Sequence, residues 1–135
     1  MNHLDRAQRS EAMFLVYCAE NSIESAKPLF HSSPYDFVAR IKGKWSTIQV
    51  KTVYPSQNGN RGPSIVVGLR HAGDCKGKKS LKPYKKGDFD YLFCVFGARK
   101  WLIPASVCSH IRSSLNLGKK VAKYEIHGEF ASINF

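Results

Sequence analysis

Residues 33–52 read SPYDFVARIKGKWSTIQVKT, and this stretch predicts the β-hairpin around which the rest of the chain is organised. Two runs rich in apolar and β-branched residues flank Lys42-Gly43-Lys44, and a glycine between two such runs is typical of a hairpin turn. Pro34 has no N–H to donate, so it can precede a strand but cannot lie within a central one. We therefore expect a strand on each side of the turn, the first beginning after Pro34.

The hairpin brings polar side chains together at its open end. Folding the two runs back on each other places Asp36 opposite residue 49, 50 or 51, depending on which residues form the turn. Because side chains alternate between the faces of a strand, Gln49 and Lys51 point the same way and Val50 points the other way. Facing Cβ atoms lie about 5 Å apart. An acid, an amide and an amine therefore meet on a stiff support, here called the hairpin site (Asp36, Gln49 and Lys51).

Length and composition predict one compact domain spanning residues 1–135. A chain of 135 residues can bury roughly two-thirds of its unfolded surface, and 43% apolar residues with eight Phe argue against disorder. No run of about 18 apolar residues and no signal-peptide pattern is present, so we expect no membrane partner. The four cysteines form no Cys-x-x-Cys pair, so we expect no zinc site and a reduced, cytoplasmic protein. They are Cys18, Cys75, Cys94 and Cys108.

The positive charge is confined to the middle of the chain. The net charge is +11, and residues 40–100 hold 14 Lys and Arg against three acidic residues. The two flanks together hold seven basic and seven acidic residues, so they cancel. Charge concentrated in this way predicts that one surface binds a polyanion, with nucleic acid favoured over a membrane because no basic amphipathic helix occurs there. The alternative is a basic face that is simply solvated.

A helix is predicted over residues 5–20. Asp5 can cap its first turn with Gln8 three positions later, a variant of the capping box. Five residues at helical spacing form the stripe expected to face the core: Ala7, Glu11, Phe14, Leu15 and Cys18.

Glu11 is the exception in this stripe, because carboxylates are rarely buried without a partner. In one interpretation it lies at the boundary and its carboxylate turns toward water or an Arg. In the other, the helix packs against the sheet and Glu11 reaches the hairpin site. The helix alone leaves both interpretations open.

Two stretches after the hairpin have the composition of loops. Residues 55–64 (PSQNGNRGPS) predict a loop, and residues 65–69 predict a short strand. Residues 70–87 carry six Lys between positions 76 and 86 and few apolar side chains, so an exposed basic loop is predicted. This loop either serves solubility or becomes ordered on a phosphate backbone.

The apolar runs in the second half predict the rest of the sheet. Residues 89–96 are nearly all apolar, which predicts a strand buried on both faces, followed by a turn and a strand at 101–103. The order of elements therefore favours an α/β fold, a mixed β-sheet core flanked by helices.

The C-terminal third predicts a helix and an edge strand. Pro104 can begin the helix, and residues 116–118 can end it. Its apolar side is formed by Val107, Cys108 and Ile111. Residues 123–127 predict a last edge strand. The stretch Tyr124–Phe135 alternates and ends on an aromatic residue, so we expect it to dock on its own subunit or across an interface.

The helical Glu11, Pro34-Tyr35-Asp36 and Gln49-Val50-Lys51 together resemble the PD-(D/E)XK nuclease superfamily. The hairpin, the strand Asp90-Tyr91-Leu92-Phe93 and Ile103-Pro104 further resemble the homing endonucleases encoded in group I introns of cyanobacteria. The resemblance covers most of residues 5–112. Two departures from the superfamily pattern are Tyr35, which separates Pro from Asp, and Gln49, where an acid is preferred. The intron-encoded members resemble this chain in having Gln there.

The resemblance implies hydrolysis of DNA phosphodiesters with Mg²⁺, for which Mn²⁺ can substitute. Asp36, Glu11 and the Val50 backbone carbonyl would hold the ion. Gln49 would ligate it or orient water, and Lys51 would position the nucleophilic water and accept a proton.

The resemblance also implies the partners. The expected partners are double-stranded DNA with a near-palindromic target and further copies of the chain, which form a homotetramer in which two subunits cut. The expected location is the cytoplasm of a prokaryote, at the nucleoid. The residues expected to contact DNA are basic and are Arg61, Arg70, Lys76, Lys78, Lys79, Lys82, Lys85 and Lys86.

Three functions remain open on the sequence. The favoured one is a homing endonuclease that makes a double-strand break at an intron insertion site. The second is another PD-(D/E)XK nuclease, such as a restriction enzyme or a Holliday junction resolvase. The third is a non-catalytic basic protein that binds nucleic acid.

Overall fold

The computed structural model describes residues 2–30, 32–57, 63–68, 70–72, 81–85, 87–108 and 114–127. In chain order the elements are α1 (His3–Glu20), β1 (Ser25–Ala26), β2 (Phe37–Ile41), β3 (Lys44–Thr52), β4 (Tyr54–Gln57), β5 (Pro63–Gly68), β6 (Arg70–Ala72), β7 (Leu81–Pro83), β8 (Tyr91–Phe96), β9 (Arg99–Pro104), α2 (Ala105–Cys108), β10 (Ser114–Asn116) and a 3-10 helix (Lys119–Tyr124). Within these residues, no helix is long and apolar enough to cross a membrane.

The main sheet has five strands in the order β1-β2-β3-β8-β9. Strands β3 and β8 are parallel and the other neighbours are antiparallel, which confirms the predicted mixed sheet. Strand β8, which lies between β3 and β9, is buried on both faces, as its run of apolar residues predicts. Phe93 packs with α1 on one face, and Leu92 packs with Trp101 on the other.

The hairpin forms as predicted, with a two-residue turn. Lys42 and Gly43 both have positive φ values, +51° and +77°, which is the requirement of a type I′ turn. Phe37 then pairs with Ile48, and Ile41 pairs with Lys44. This register places Asp36 opposite Gln49 and resolves the three possibilities left by the sequence.

Helix α1 begins earlier than predicted, at His3. Asn2 caps it: its side chain accepts from Asp5 N–H at 2.9 Å, and Asp5 accepts from the Asn2 N–H. The predicted cap by Asp5 with Gln8 is therefore wrong, because Asn2 occupies the extended N-cap position and Asp5 lies inside the first turn.

The buried stripe of α1 is narrower than predicted. Its buried residues are Ser10, Phe14 and Cys18, one on each successive turn. Phe14 and Cys18 are predicted correctly, whereas Ala7 and Leu15 are exposed. The helix faces the sheet with this row, Met13 and Tyr17 beside it are partly buried against the core, and Ala7 and Leu15 remain in solvent.

Residues 55–64 contain strands, so the predicted loop is wrong over its described part. β4 pairs with β5, and β10 pairs with the other edge of β5, which gives a second sheet of three strands. The short strand predicted at 65–69 falls within β5 as far as Gly68. Pro55 is accommodated because β4 is an edge strand, where a missing N–H leaves no partner unsatisfied.

The segment 70–87 is also more structured than predicted. β6 and β7 pair as an antiparallel ribbon, here called the basic ribbon (residues 70–72 and 81–83). Tyr84 then packs against the core, with its ring 5.1 Å from that of Phe89. The part of this segment at 73–80 lies outside the described residues.

Two predictions for the C-terminal third are wrong in part. A helix does begin directly after Pro104, with α2 described as far as Cys108, but residues 114–116 pair with β5 as a strand, so the predicted helix end at 116–118 is wrong. Val107 and Cys108 face the core as predicted, and Ile111 lies outside the described residues. Residues 119–124 form a 3-10 helix where the edge strand was expected to begin.

The chain after the 3-10 helix docks on its own sheet. The Ile126 N–H donates to Lys100 O at 2.8 Å, and Glu125 forms a β-bridge with Trp101. Arg99 binds Glu125 with two hydrogen bonds of 2.6 and 3.0 Å. Residues 124–127 thus dock on their own subunit, one of the two predicted modes, and the rest of the tail lies outside the described residues.

Candidate active site

Asp36 is held at the end of the hairpin by the second strand. Its N–H donates to Ile48 O and its Oδ2 accepts from the Val50 N–H, both at 2.8 Å. In the described part of the chain, strand pairing on this side of β3 ends at Ile48, while β3 continues to Thr52. The carboxylate of Asp36 therefore accepts the hydrogen bond that the next residue of a longer β2 would accept. Among the described residues, the edge of β3 beyond Val50 is paired with no strand on this side.

Burial raises the pKa of Asp36 above its ordinary value, and the nearby charge of Glu11 adds to this effect. The hydrogen bond from Val50 N–H and the charges of Lys51 and Lys27 act in the opposite direction. The ionised form of Asp36 is therefore only partly compensated by the protein.

Helix α1 brings Glu11 to the same place. Glu11 lines a cleft of about 770 Å³ together with the hairpin site and Val50. Its Oε2 also forms an ion pair of 3.0 Å with Lys27 Nζ, and its side chain is 30% exposed. Both interpretations of Glu11 are thus partly correct: it reaches the cleft, and it is paired with a cation, although that cation is a Lys.

Gln49 and Lys51 lie on the same face of β3, as their spacing predicts. Gln49 Nε2 donates to the carbonyl of Val50 at 3.3 Å, so it contacts the backbone oxygen expected to bind the metal. Burial lowers the pKa of Lys51, while Asp36 and Cys94 act in the opposite direction. Lys51 Nζ lies 5.3 Å from the ring centroid of Tyr84.

The donor set of the cleft fits a hard divalent cation. Two carboxylates, one amide oxygen and one backbone carbonyl are all oxygen ligands, the type that Mg²⁺ prefers. Among the described residues, no group of three or more His, Cys, Asp or Glu could hold a metal. The two carboxylates of the cleft, Glu11 and Asp36, offer two negative charges when both are ionised. A bound cation would stabilise the ionised form of Asp36, which burial disfavours.

A second, basic cleft adjoins the first. It has a volume of about 310 Å³ and shares Ser10, Thr52 and Tyr54 with the larger cleft. Arg6 lies over the Tyr54 ring at 5.7 Å, and Arg9 also lines this cleft. Neither Arg was predicted from the sequence, although their spacing of three on a helix places them on one side.

Other neighbours of the site were missed because they are distant in sequence. Ser10 is 2% exposed and shares a 2.7 Å hydrogen bond with Thr52, which ties α1 to β3. Lys27 and Tyr84 come from separate connecting segments, and neither carries a local signal of its contact with the site. Their positions depend on tertiary packing alone.

The predicted DNA-binding residues are described only in part. Lys85 is exposed, and Arg70 and Lys82 lie on paired strands of the basic ribbon. The remaining five lie outside the described residues: Arg61, Lys76, Lys78, Lys79 and Lys86.

The fold and the cleft define an α/β protein with a polar site on the open edge of a hairpin strand. No family model matches the sequence, and no curated protein matches it. The fold is similar to that of I-Ssp6803I, a bacterial homing endonuclease, with a TM-score of 0.72 and 18% identity over 98% of this chain and 88% of that one. The resemblance to homing endonucleases is thus confirmed in the fold.

Proposed function

We propose that the protein is a metal-dependent DNA endonuclease of the homing type, built on the PD-(D/E)XK pattern. The observation that carries this proposal is the convergence of Glu11 with the hairpin site on one cleft. The fold shared with a bacterial homing endonuclease and the net charge of +11 support it. We further infer a prokaryotic, cytoplasmic location at the nucleoid, because the homing endonuclease of similar fold is bacterial and DNA would be the substrate.

The residues of the cleft suit phosphodiester hydrolysis. Asp36, Glu11 and the carbonyl of Val50 would hold Mg²⁺ or Mn²⁺, with Gln49 as a ligand or as the group that orients water. When bound, the ion supplies charge neutralisation at the phosphoryl oxygens. Lys51 in its neutral form accepts a proton from water as the oxygen attacks phosphorus and the bond to the leaving oxygen breaks. Its lowered pKa makes the neutral form more accessible.

Cleavage of plasmids tests the proposal and separates the three functions. Supercoiled plasmids carrying intronless genomic fragments of the source organism are incubated with the protein, with and without Mg²⁺. We expect one plasmid to be linearised at one site, only when Mg²⁺ is present. Frequent cutting, or cutting of a four-way junction, would favour another PD-(D/E)XK nuclease. Binding with no cleavage in Mg²⁺ or Mn²⁺ would overturn the proposal.

Replacing Lys76, Lys78 and Lys79 together by Ala should weaken binding to all DNA sequences. Removing one lysine that binds a phosphate lowers the slope of log K against log salt by about one unit, so the slope should fall by up to about three units. The measurement is a salt titration of binding in Ca²⁺. The triple variant Lys119, Lys120 and Lys123 to Ala removes three charges from the 3-10 helix and serves as the matched control. A slope unchanged from that of the wild-type protein would show that the predicted loop faces solvent, and the control variant should keep the wild-type slope.

We propose a homo-oligomer, because one chain has one candidate site and a double-strand break needs two. The resemblance to the intron-encoded homing endonucleases extends this proposal to a homotetramer in which two subunits cut. An apolar patch beside the cleft supports assembly: Leu29, Phe30 and Leu4 are 90%, 77% and 66% exposed. Leu4 and Phe30 line the same small cleft as Glu11.

Light scattering at micromolar concentration should give the mass of four chains, with DNA and without. The double variant Leu29→Ser with Phe30→Ser should lower this mass. Leu15→Ser with Val16→Ser, which alters the exposed face of α1, should leave it unchanged. A monomeric wild-type protein would contradict the proposal and would leave nicking as the expected activity.

A further inference from the structure

The ring of Tyr84 lies against the ammonium group of Lys51. The distance from Lys51 Nζ to the ring centroid is 5.3 Å, within the range of a cation–π contact. Both side chains are half-buried, so water competes less with this contact than it would at an exposed pair. The charge of Asp36 also acts on the Tyr84 hydroxyl. Tyr84 therefore belongs to the surroundings of the hairpin site, although no local pattern in the sequence indicates this.

Two features hold the Tyr84 ring in place: a contact with the ring of Phe89 and a turn in the chain directly after Tyr84. Phe89, which is 5% exposed, meets the ring edge to face at 5.1 Å and 83°. Directly after Tyr84, a tight turn forms in which the Lys85 N–H donates to Asp88 Oδ2 at 2.6 Å and the Asp88 N–H donates to Lys85 O at 3.1 Å. Gly87 in this turn has φ +92°, which favours glycine.

The same segment is anchored to the strand that carries Lys51. Asp90 Oδ2 accepts from the Thr47 N–H at 2.8 Å, and the Asp90 N–H donates to Thr47 Oγ1 at 3.0 Å. Thr47 lies on β3, four residues before Lys51. The residues that follow Tyr84 are thus hydrogen-bonded to the strand that carries Lys51.

We propose that Tyr84 is a positioning residue for Lys51: its ring packs beside the end of the lysine side chain and keeps the amine at the cleft edge, whether or not the amine is protonated. This inference rests on the proposed nuclease function. Burial raises the pKa of Tyr84, with Asp36 and Asp88 adding to the rise, so its hydroxyl stays neutral beside Lys51. Tyr84 directly follows β7, so it adjoins the basic ribbon as well as Lys51.

The first test compares two substitutions of Tyr84. Tyr84→Leu should lower the single-turnover cleavage rate roughly 3- to 30-fold with an unchanged Kd for DNA, whereas Tyr84→Phe should keep the rate within about threefold. Tyr124→Leu is the matched control, since Lys123 Nζ lies 5.2 Å from that ring, away from the cleft. If Tyr84→Leu does not fold, Tyr84→Met replaces it. An unchanged rate, an equal decrease in Tyr84→Phe, or a decrease explained by Kd would overturn the inference.

The second test needs neither DNA nor activity. The ε-methylene ¹H and ¹³C resonances of Lys51, assigned by their disappearance in Lys51→Ala, should carry a ring-current shift. That shift should disappear in Tyr84→Leu and persist in Tyr84→Phe. No change in Tyr84→Leu would overturn the inference even if the protein proves to be a nuclease. Conversely, if the protein shows the shift but cleaves no DNA, the proposed function is refuted while the contact between Tyr84 and Lys51 is confirmed.

Discussion

Replacing Asp36 by alanine should reduce the rate of DNA cleavage at least about 1000-fold, because the variant loses a metal ligand and its negative charge. DNA binding in Ca²⁺ should remain largely intact, since Asp36 contributes to catalysis and not to the affinity for DNA. Glu11→Gln should show the same separation of cleavage from binding. A single-turnover assay on the target recovered from the plasmid screen measures the rate.

The Asp36→Ala variant also leaves the Val50 N–H without its acceptor, which costs about 1 to 3 kcal/mol of stability. Asp36→Asn keeps a side-chain oxygen for this hydrogen bond and removes only the charge, so it should be as inactive and more stable. Glu24→Ala removes an exposed carboxylate that pairs with Arg40 outside the cleft and controls for charge alone. A fully active Asp36→Ala protein would refute the assignment of the site.

Replacing Lys51 by methionine should reduce cleavage about 100- to 10,000-fold, the range expected when a general base is removed. Methionine keeps the apolar stem and removes the amine, so packing on β3 should be preserved. Lys51→Arg should be similarly inactive, because a guanidinium stays protonated and cannot accept the proton of water. Lys44→Met, at the exposed start of the same strand, is the matched control. Activity of Lys51→Met equal to that control would contradict the role of Lys51.

The pH profile of the wild-type protein provides a second measurement for Lys51. Burial lowers the pKa of this amine, so its neutral form appears at lower pH than for a solvent-exposed lysine. Cleavage should therefore rise with pH as Lys51 loses its proton and then level off. In Lys51→Arg this rise should be absent. If Lys51 acted only through its positive charge, Lys51→Arg would keep part of the cleavage rate and the rate would not rise with pH.

The sequence by itself determined the hairpin and most of the candidate site. The turn at Lys42 and Gly43 follows from local backbone sterics, and alternation along β3 places Gln49 and Lys51 on one face. The apolar run that becomes β8 was recognisable because a strand buried on both faces has no polar positions. These signals act over a few residues, so they can be read without knowledge of the partners.

Tertiary structure alone decided the second sheet and the surroundings of the site. Residues 55–57 have the composition of a loop, and they become part of β4 because β5 supplies partners for their backbone groups. The contacts of Lys27 with Glu11 and of Tyr84 with Lys51 join residues 16 and 33 positions apart. Such contacts depend on where separate elements pack, and a hydrogen bond or ring contact between distant segments leaves no periodic pattern in either one. The open edge of β3 arises in the same way, because pairing with β2 ends at Ile48 and the carboxylate of Asp36 meets the next backbone N–H.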